Sequence, residues 1–329
     1  MKKLLIVPVL VFLLFSPCFG YHIEVLQVAN IGAYDDTHRG LLEELARNGI
    51  VEGQNLTINR QIIEASADAN LWKKVGILLK IKSAASRIVD AKPDLVITVG
   101  TPATRYSMDK IIGAGIPVVF SCVANPPVLG CPSVTEPLPG LTGVTLYQDP
   151  LNYLVLAQMA KPDIKNLGMI YSDDDNAVAF NTEVTRKASQ LGINMVTREV
   201  GKSDPLTPAA LELIKAGVDS FAIPLDAYYG LRNQEHGKEL LAVASEYNLP
   251  VFCFVNYDDK GALLYAGADF NHMGVLSGRQ AAAILKEGKR PEELPILAQK
   301  DLQVFIDRQI AEKLGIELSE QLLQVAKER

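Results

Sequence analysis

The sequence lacks every compact catalytic signature that a chain of this size commonly carries. It has no G-x-x-x-x-G-K-[ST] loop to cradle phosphates, no G-x-G-x-x-G after a strand, no G-x-S-x-G and no H-E-x-x-H. Its four histidines, His22, His38, His236 and His272, are scattered without metal-ligand spacing, so no metal centre is expected. An excess of basic residues is also missing. Lys and Arg number 32 against 38 Asp and Glu, a formal charge of −6, which argues against a nucleic-acid partner. No low-complexity linker interrupts the chain, and beyond the first twenty residues no apolar run approaches the roughly 20 residues that span a bilayer. These absences point away from an enzyme, a cofactor or a membrane-embedded protein.

The N-terminus is distinctive. Lys2 and Lys3 precede the apolar run Leu4–Phe15, and Ser16-Pro17-Cys18-Phe19-Gly20 follows. A basic start, a short apolar stretch and small residues at the −3 and −1 positions (Cys18, Gly20) describe a secretory signal peptide cleaved after Gly20. Pro17 stands where a lipoprotein would need a small residue, which disfavours lipid anchoring through Cys18. Removing Lys2 and Lys3 from the 32 basic residues leaves 30 against 38 acidic ones and moves the charge from −6 to −8. The expected product is exported, periplasmic or extracytoplasmic. Its roughly 309 residues are too many for one ordinary core and suit two domains. Three cysteines remain. Cys122 and Cys131 flank a proline-rich loop and are candidates for a disulfide in an oxidising compartment, whereas Cys253 lies in the apolar run Val251–Val255 and reads as core.

Strand-like and helix-like segments alternate along the rest of the chain. The first set has strands at Ile23–Ala29, Leu56–Ile63, Leu95–Val99, Val118–Phe120 and Leu141–Leu146, with helices at Asp35–Asn48 and Leu71–Val89. Gly49 follows the first helix, where a left-handed terminus favours glycine. A second set begins with a helix at Asn152–Met159. It continues through strands at Asn166–Tyr171, Ile193–Val200, Ser220–Ile223, Val251–Val255, Ala262–Ala266 and Leu302–Ile306. Its helices cover Val178–Leu191, Thr207–Ala216, Glu235–Tyr247, Met273–Glu287, Ala311–Leu314 and Ser319–Lys327. Such alternation predicts an α/β protein of two doubly wound parallel-sheet lobes with a hinged cleft. The N-terminal lobe is expected to hold residues 21–145 plus 269–300, and the other lobe 146–268 plus 301–329.

In open α/β sheets ligands bind beyond the carboxyl ends of the strands, which directs attention to the loops there. Asn30–Tyr34 offers Ala33 and Tyr34. Gly100-Thr101-Pro102-Ala103-Thr104 offers small residues and backbone N–H groups at the start of a helix. Ser121 and Asn125 follow the next strand. In the second lobe Ser172 and Asn176 bracket Asp173–Asp175, whose carboxylates suit helix capping, while Asp226, Asn256 and Asp258 follow the later strands. Arg232 is a candidate ion-pair partner for Asp226. Tyr34, Tyr228 and Tyr257 are placed either to stack on a flat ligand or to sit at its rim.

Several segments resemble the substrate-binding proteins of ABC importers with the type I periplasmic-binding fold, in particular the subgroup of tryptophan- and tyrosine-type binders. They are Val51-Glu52-Gly53-Gln54-Asn55-Leu56, Lys92-Pro93-Asp94-Leu95-Val96, Thr101-Pro102-Ala103, Pro117-Val118-Val119-Phe120, Leu141-Thr142-Gly143-Val144, Pro224-Leu225-Asp226, Ala283-Ile284-Leu285-Lys286-Glu287-Gly288 and Lys313-Leu314-Gly315-Ile316. The resemblance implies a monomer without cofactor that closes on a small polar ligand, an aromatic amino acid among the options, and delivers it to a membrane permease. It further implies that Thr101 and Ala103 hold a ligand carboxylate and Asp226 its ammonium. The chain departs from the pattern at Asn125-Pro126, at Asp173–Asp175 and in the Cys122–Cys131 loop. A ligand-sensing component of a signalling system would look the same in sequence, and an enzyme using the cleft is the remaining alternative.

Overall fold

The computed structural model describes residues 20–64, 71–230, 234–256 and 260–329. Residues 1–19, with Cys18, and Arg232, Tyr257 and Asp258 lie outside the described residues. The first set of elements is β1 (Tyr21–Val28), α1 (Gly32–Arg47), β2 (Leu56–Ile63), α2 (Leu71–Ala91), β3 (Leu95–Val99), α3 (Thr101–Gly113), β4 (Val118–Val123) and β5 (Leu141–Thr145). The second is α4 (Pro150–Ala160), β6 (Asn166–Ser172), α5 (Asp175–Ala188), β7 (Asn194–Val200), α6 (Leu206–Lys215), β8 (Ser220–Ile223), α7 (Ala227–Gly230), α8 (Glu235–Glu246), β9 (Val251–Cys253) and β10 (Leu264–Gly267). The chain ends with α9 (Phe270–Glu287), β11 (Leu297–Ala298), β12 (Gln303–Ile306), α10 (Arg308–Leu314), α11 (Glu320–Val325) and β13 (Lys327–Glu328).

Two sheets form, one per lobe. The first has the order β11-β5-β4-β3-β1-β2 and the second β13-β12-β10-β9-β8-β6-β7. All pairings in the first sheet are parallel, and both of its faces are covered. Ile23, Val25, Ile97 and Val119 pack with Leu41, Leu45 and Met273 of α1 and α9. Leu26, Val96, Val118 and Phe120 pack on the opposite face with Ile81, Ala85 and Ile111 of α2 and α3. Burial on both faces explains why the central strands β3 and β4 are apolar at nearly every position, whereas the edge strand β2 carries Thr57, Asn59, Arg60 and Gln61.

The second sheet departs from a wholly parallel arrangement, because β12 runs antiparallel to β10. After β10 the chain leaves for the first lobe, where α9 packs on α1 and β11 adds to β5. It then returns from the cleft side and enters β12 with no intervening helix to reverse its direction. The short β13, expected from sequence as the end of a helix, instead pairs with β12.

The chain thus passes between the sheets three times, and side chains tie the passages together. Gln148 Nε2 donates to the Gln299 carbonyl at 2.8 Å, and Asp269 N donates to Gln299 Oε1 at 2.8 Å. Gln303 Nε2 donates to Asp269 Oδ2 at 2.6 Å. Three short segments cross-linked in this way can bend together but resist twisting apart, which suits a hinge.

Cys122 and Cys131 do not form the candidate disulfide; both are buried free thiols, as is Cys253. The sheet stands between them. Cys122 lies in the core on the α1 and α9 face, with Sγ 3.4 Å from Thr37 Oγ1, whereas Cys131 belongs to the core on the α2 and α3 face. Burial pushes both thiols up to about 11, so neither is an effective nucleophile at neutral pH. A chain beginning at Tyr21 is therefore expected to release three titratable thiols to Ellman's reagent when denatured without reductant, and none while native at pH 7.5. A count of one in the denatured protein would restore the disulfide.

Candidate functional site

The carboxyl ends of β1, β3 and β4 are neighbours in the first sheet, and each chain leaves through a left-handed residue: Ala29 (φ 79°), Gly100 (φ 87°) and Cys122 (φ 58°). Non-glycine residues in this region cost about 1–3 kcal/mol each, and such strain gathers at ligand sites. Gly100 is held at both ends: its N–H donates to the Ser121 carbonyl at 2.9 Å, and its carbonyl accepts from Thr104 N at 3.2 Å and Thr104 Oγ1 at 3.0 Å. A Cβ there would lie 2.7 Å from the Tyr34 hydroxyl. Tyr34, near the start of α1, thus closes over the corner between β3 and α3, and only glycine leaves room for it.

Gly100 occupies the capping position of α3 and has no side chain to satisfy the first turn. Thr101 is the first helical residue, so its hydroxyl is not the helix cap. Pro102, which is exposed, has no N–H. The N–H groups of Thr101 and Ala103 belong to the first turn, where no intrahelical acceptor exists, and the helix dipole adds to their attraction for an anion. Ala103 can act only through its backbone, because its side chain is fully buried in the α2 and α3 core. Half-buried Ala33 lends its carbonyl to Thr37 Oγ1, and half-buried Asn125 precedes a 3-10 turn at Pro126–Leu129.

Ser121 is not presented to the cleft as expected from sequence. Its side chain is fully buried and its Oγ accepts a hydrogen bond from Ser277 Oγ of α9 at 2.9 Å. The irregular step between Phe120 and Val123, with Cys122 left-handed, turns both Ser121 and Cys122 toward the helices on that face.

In the second lobe, Asp226 follows β8 and is buried. Its Oδ2 accepts from Ser172 N at 2.7 Å, and its Oδ1 accepts from Ser172 Oγ at 2.8 Å and Tyr228 N at 2.9 Å. The carboxylate therefore clamps the end of β6 to the end of β8. Burial outweighs these donors and holds its pKa above the usual carboxylate range. Ser172 is fully buried as part of this clamp, contrary to the cleft-facing position expected for it. Asp174 caps α5, accepting from Asn176 N at 3.0 Å, and pairs with Lys202 at 2.8 Å. Burial opposes its charge, but Lys202 and the Asn176 donors prevail and hold its carboxyl below its ordinary value. Asn176 and Asn256 are both half-buried at strand ends of this sheet.

Tyr228 does not line the site. Its ring is buried and stacked on His236, with centroids 4.0 Å apart at 9°, and its hydroxyl donates to the Asp204 carbonyl. The helical turn of α7 rotates it into the core between α6 and α8 instead.

The two half-sites face each other. Leu225, next to Asp226, packs against the core of its own lobe and also against the α1 and α9 core of the first. The Tyr34 hydroxyl is pushed well above its ordinary value by burial, then by Cys122 and by Asp174 of the opposite lobe. Sequence reasoning missed Leu225 and Lys202 as participants. Leu225 carried a signal, an apolar side chain in a polar loop at a strand's carboxyl end; Lys202 carried none. Among the described residues no group of His, Cys, Asp and Glu could hold a metal ion, and no helix is long and apolar enough to cross a membrane.

The fold is that of the type I periplasmic-binding proteins. A conserved domain protein from Vibrio cholerae is 25% identical with a TM-score of 0.77, the match covering 94% of this chain and 99% of that one. An ABC domain from Streptococcus pneumonia in complex with L-Trp is 20% identical, with a TM-score of 0.76 over the same shares. A ligand-free, open substrate binding protein with adhesive properties from Clostridium difficile is 22% identical, with a TM-score of 0.73 over 94% and 99% of the two chains. No curated protein sequence matches the chain. The family model for the ABC transporter substrate binding protein matches residues 22–329, and the chain belongs to that family.

Proposed function

We propose that this protein is exported by its N-terminal leader, captures a small zwitterionic solute between its lobes and delivers it to an ABC permease. The moving bodies are residues 21–145 plus 269–300 and residues 146–268 plus 301–329, bending at the three glutamine-linked passages. The observation that carries the reading is the opposition of charge preference across the cleft. The first lobe offers the α3 N-terminus, with N–H groups at Thr101 and Ala103 and no acidic residue in its first turn. The second offers the Asp226 carboxylate. A compound with an anionic and a cationic end satisfies both, and an α-amino acid is the smallest common example. The L-Trp complex of the pneumococcal relative supports an aromatic member of that class. The ligand binds the closed state better than the open one, and closure creates the surface a permease distinguishes.

Mass spectrometry of whatever co-purifies with the exported protein, followed by a thermal-shift screen of amino acids, nucleosides and sugars, tests the reading. A ligand at a hundredfold excess over its dissociation constant should stabilise the protein by about 2.7 kcal/mol. A flat melting temperature across several hundred metabolites would count decisively against it.

A further inference from the structure

The protein carries more acidic than basic residues, and its cations commonly meet carboxylates. Arg47 pairs with Glu44 at 3.1 Å, Arg60 with Asp35 at 2.8 Å and Arg290 with Glu293 at 3.2 Å. The groove between α2 and α3 breaks this pattern. Its volume is about 570 Å³, and Lys82, Ser83, Ser86, Arg105, Tyr106 and Lys110 line it, with Asp109 the one carboxylate on its wall. Lys110 Nζ donates to Ser86 Oγ at 2.6 Å. Arg87, beside the groove, donates to Ser83 Oγ at 3.0 Å and to Gln61 Oε1 at 3.2 Å. Neither of these two cations, nor Lys82, pairs with a carboxylate among the described residues. Hydroxyl and amide oxygens orient the cations without neutralising them, so positive charge is left over here.

Apolar surface adjoins this charge. Leu79, 61% exposed, is the most exposed large apolar side chain among the described residues, and exposed Val75 lies one turn before it. Lys82 and Ser83 follow Leu79 by three and four residues, so the three share one side of α2. On α3, exposed Tyr106 lies one turn before Lys110, and the Arg105 guanidinium sits 5.8 Å from its ring centroid. The groove is separate from the strand-end site. Its α3 residues begin a full turn past Thr101, and its two helices cover the face of the first sheet opposite α1 and α9.

We propose that this groove binds the phosphate of an anionic phospholipid headgroup and so rests the first lobe on a membrane surface. The lysines supply the attraction, the Tyr106 ring suits the headgroup level and Leu79 suits the acyl boundary beneath it. A free phosphate compound would use the same cations but gain nothing from Leu79 and Val75, so the surface favours the lipid. The inference is independent of which solute the lobes capture. It gives a chain cleaved after Gly20 a way to stay beside a membrane permease without a lipid anchor of its own.

The test is co-sedimentation of the chain beginning at Tyr21 with vesicles of equal parts phosphatidylglycerol and phosphatidylcholine, and with vesicles of phosphatidylcholine alone. At low salt, binding should appear only with the anionic vesicles, and it should fade as salt is added. Each cation at such a surface is worth about fivefold in partitioning, so Lys82→Gln combined with Lys110→Gln should weaken binding about twentyfold. Lys165→Gln combined with Lys215→Gln, two exposed lysines of the second lobe, changes the net charge equally and should stay within about twofold of the parent. Leu79→Ser keeps the charge and should weaken binding about fivefold. All five side chains are exposed, so the variants should melt with the parent. Calorimetry with glycerol phosphate separates the two sources of phosphate. Saturable binding of that soluble compound, unchanged in Leu79→Ser, would assign the groove to a free phosphate and overturn the membrane reading. Absence of binding to anionic vesicles, equal binding to both kinds, parent-like binding by the Lys82 and Lys110 variant, or an equal loss in the second-lobe control would also overturn it.

Discussion

Asp226→Asn is expected to lower both the stability of the ligand-free protein and its affinity for a zwitterionic solute, by separable amounts. The two carboxylate oxygens accept backbone N–H groups from opposite sides, Ser172 on Oδ2 and Tyr228 on Oδ1. An asparagine must turn its own NH2 toward one of them, so one buried donor loses its acceptor at a cost of about 1–3 kcal/mol. The affinity effect is larger. A ligand ammonium left buried without its carboxylate typically costs ~2–5 kcal/mol, roughly thirtyfold to several thousandfold in dissociation constant. Calorimetry well below the variant's melting temperature isolates the second effect, and affinity within threefold of the parent would reduce Asp226 to a clamp between β6 and β8. The pH dependence has a definite sign. Burial raises this carboxyl above its ordinary 3.8. Its contribution to ligand-free stability is therefore fully present below pH 3.8 and is lost as the pH rises through the folded-state value. A ligand ammonium prefers the ionised form, so affinity should weaken as the pH falls through the same range.

Gly274→Ala is expected to be the most damaging small substitution to the scaffold. Helices α1 and α9 cross so closely that a Cβ on Gly274 would lie 1.9 Å from the Thr37 carbonyl oxygen, and one on Gly40 would lie 2.0 Å from the Asn271 carbonyl oxygen. These obstacles are backbone, not flexible side chains, so the helices must separate. Separation would pull Leu41, Leu45 and Met273 off the sheet. Overpacking with adaptable neighbours costs about 1–3 kcal/mol, and this rigid contact should reach the upper end or exceed it. Ser277→Ala, on the same face of α9, removes the hydroxyl shared between Ser121 Oγ and the Met273 carbonyl and should cost about 1 kcal/mol. Equal melting temperatures for the two variants would show that the crossing relaxes without penalty. The crossing also sets the corner between β3 and α3, because α1 carries Tyr34 over Gly100, so a displaced α1 opens that corner.

Much of the scaffold was legible in the chain. Leu56–Ile63, Leu95–Val99 and Ser220–Ile223 are strands with the limits the sequence suggests, because Glu64, Gly100 and Pro224 end them. The alternation of strands and helices likewise sufficed for two α/β lobes, since parallel neighbours require crossovers. The candidate site was legible only as a set of loops. Thr101, Gly100 and Tyr34 do meet, because the start of a helix after a parallel strand has only one place to be. Ser121 and Tyr228 were misplaced for local reasons that composition does not reveal, an irregular strand step in one case and one turn of helix in the other.

The sequence by itself determined the class of fold, the order of its elements and which loops lie at the carboxyl ends of the strands. These follow from periodicity and from the few ways a chain can connect parallel strands. Only the tertiary structure decided the partners of Asp226, the separation of Cys122 from Cys131 by a sheet, the reversal of β12 and the basic groove between α2 and α3. Each depends on contacts between residues distant in the chain, or on which face a side chain takes, and a shift of one residue in a strand reverses that face.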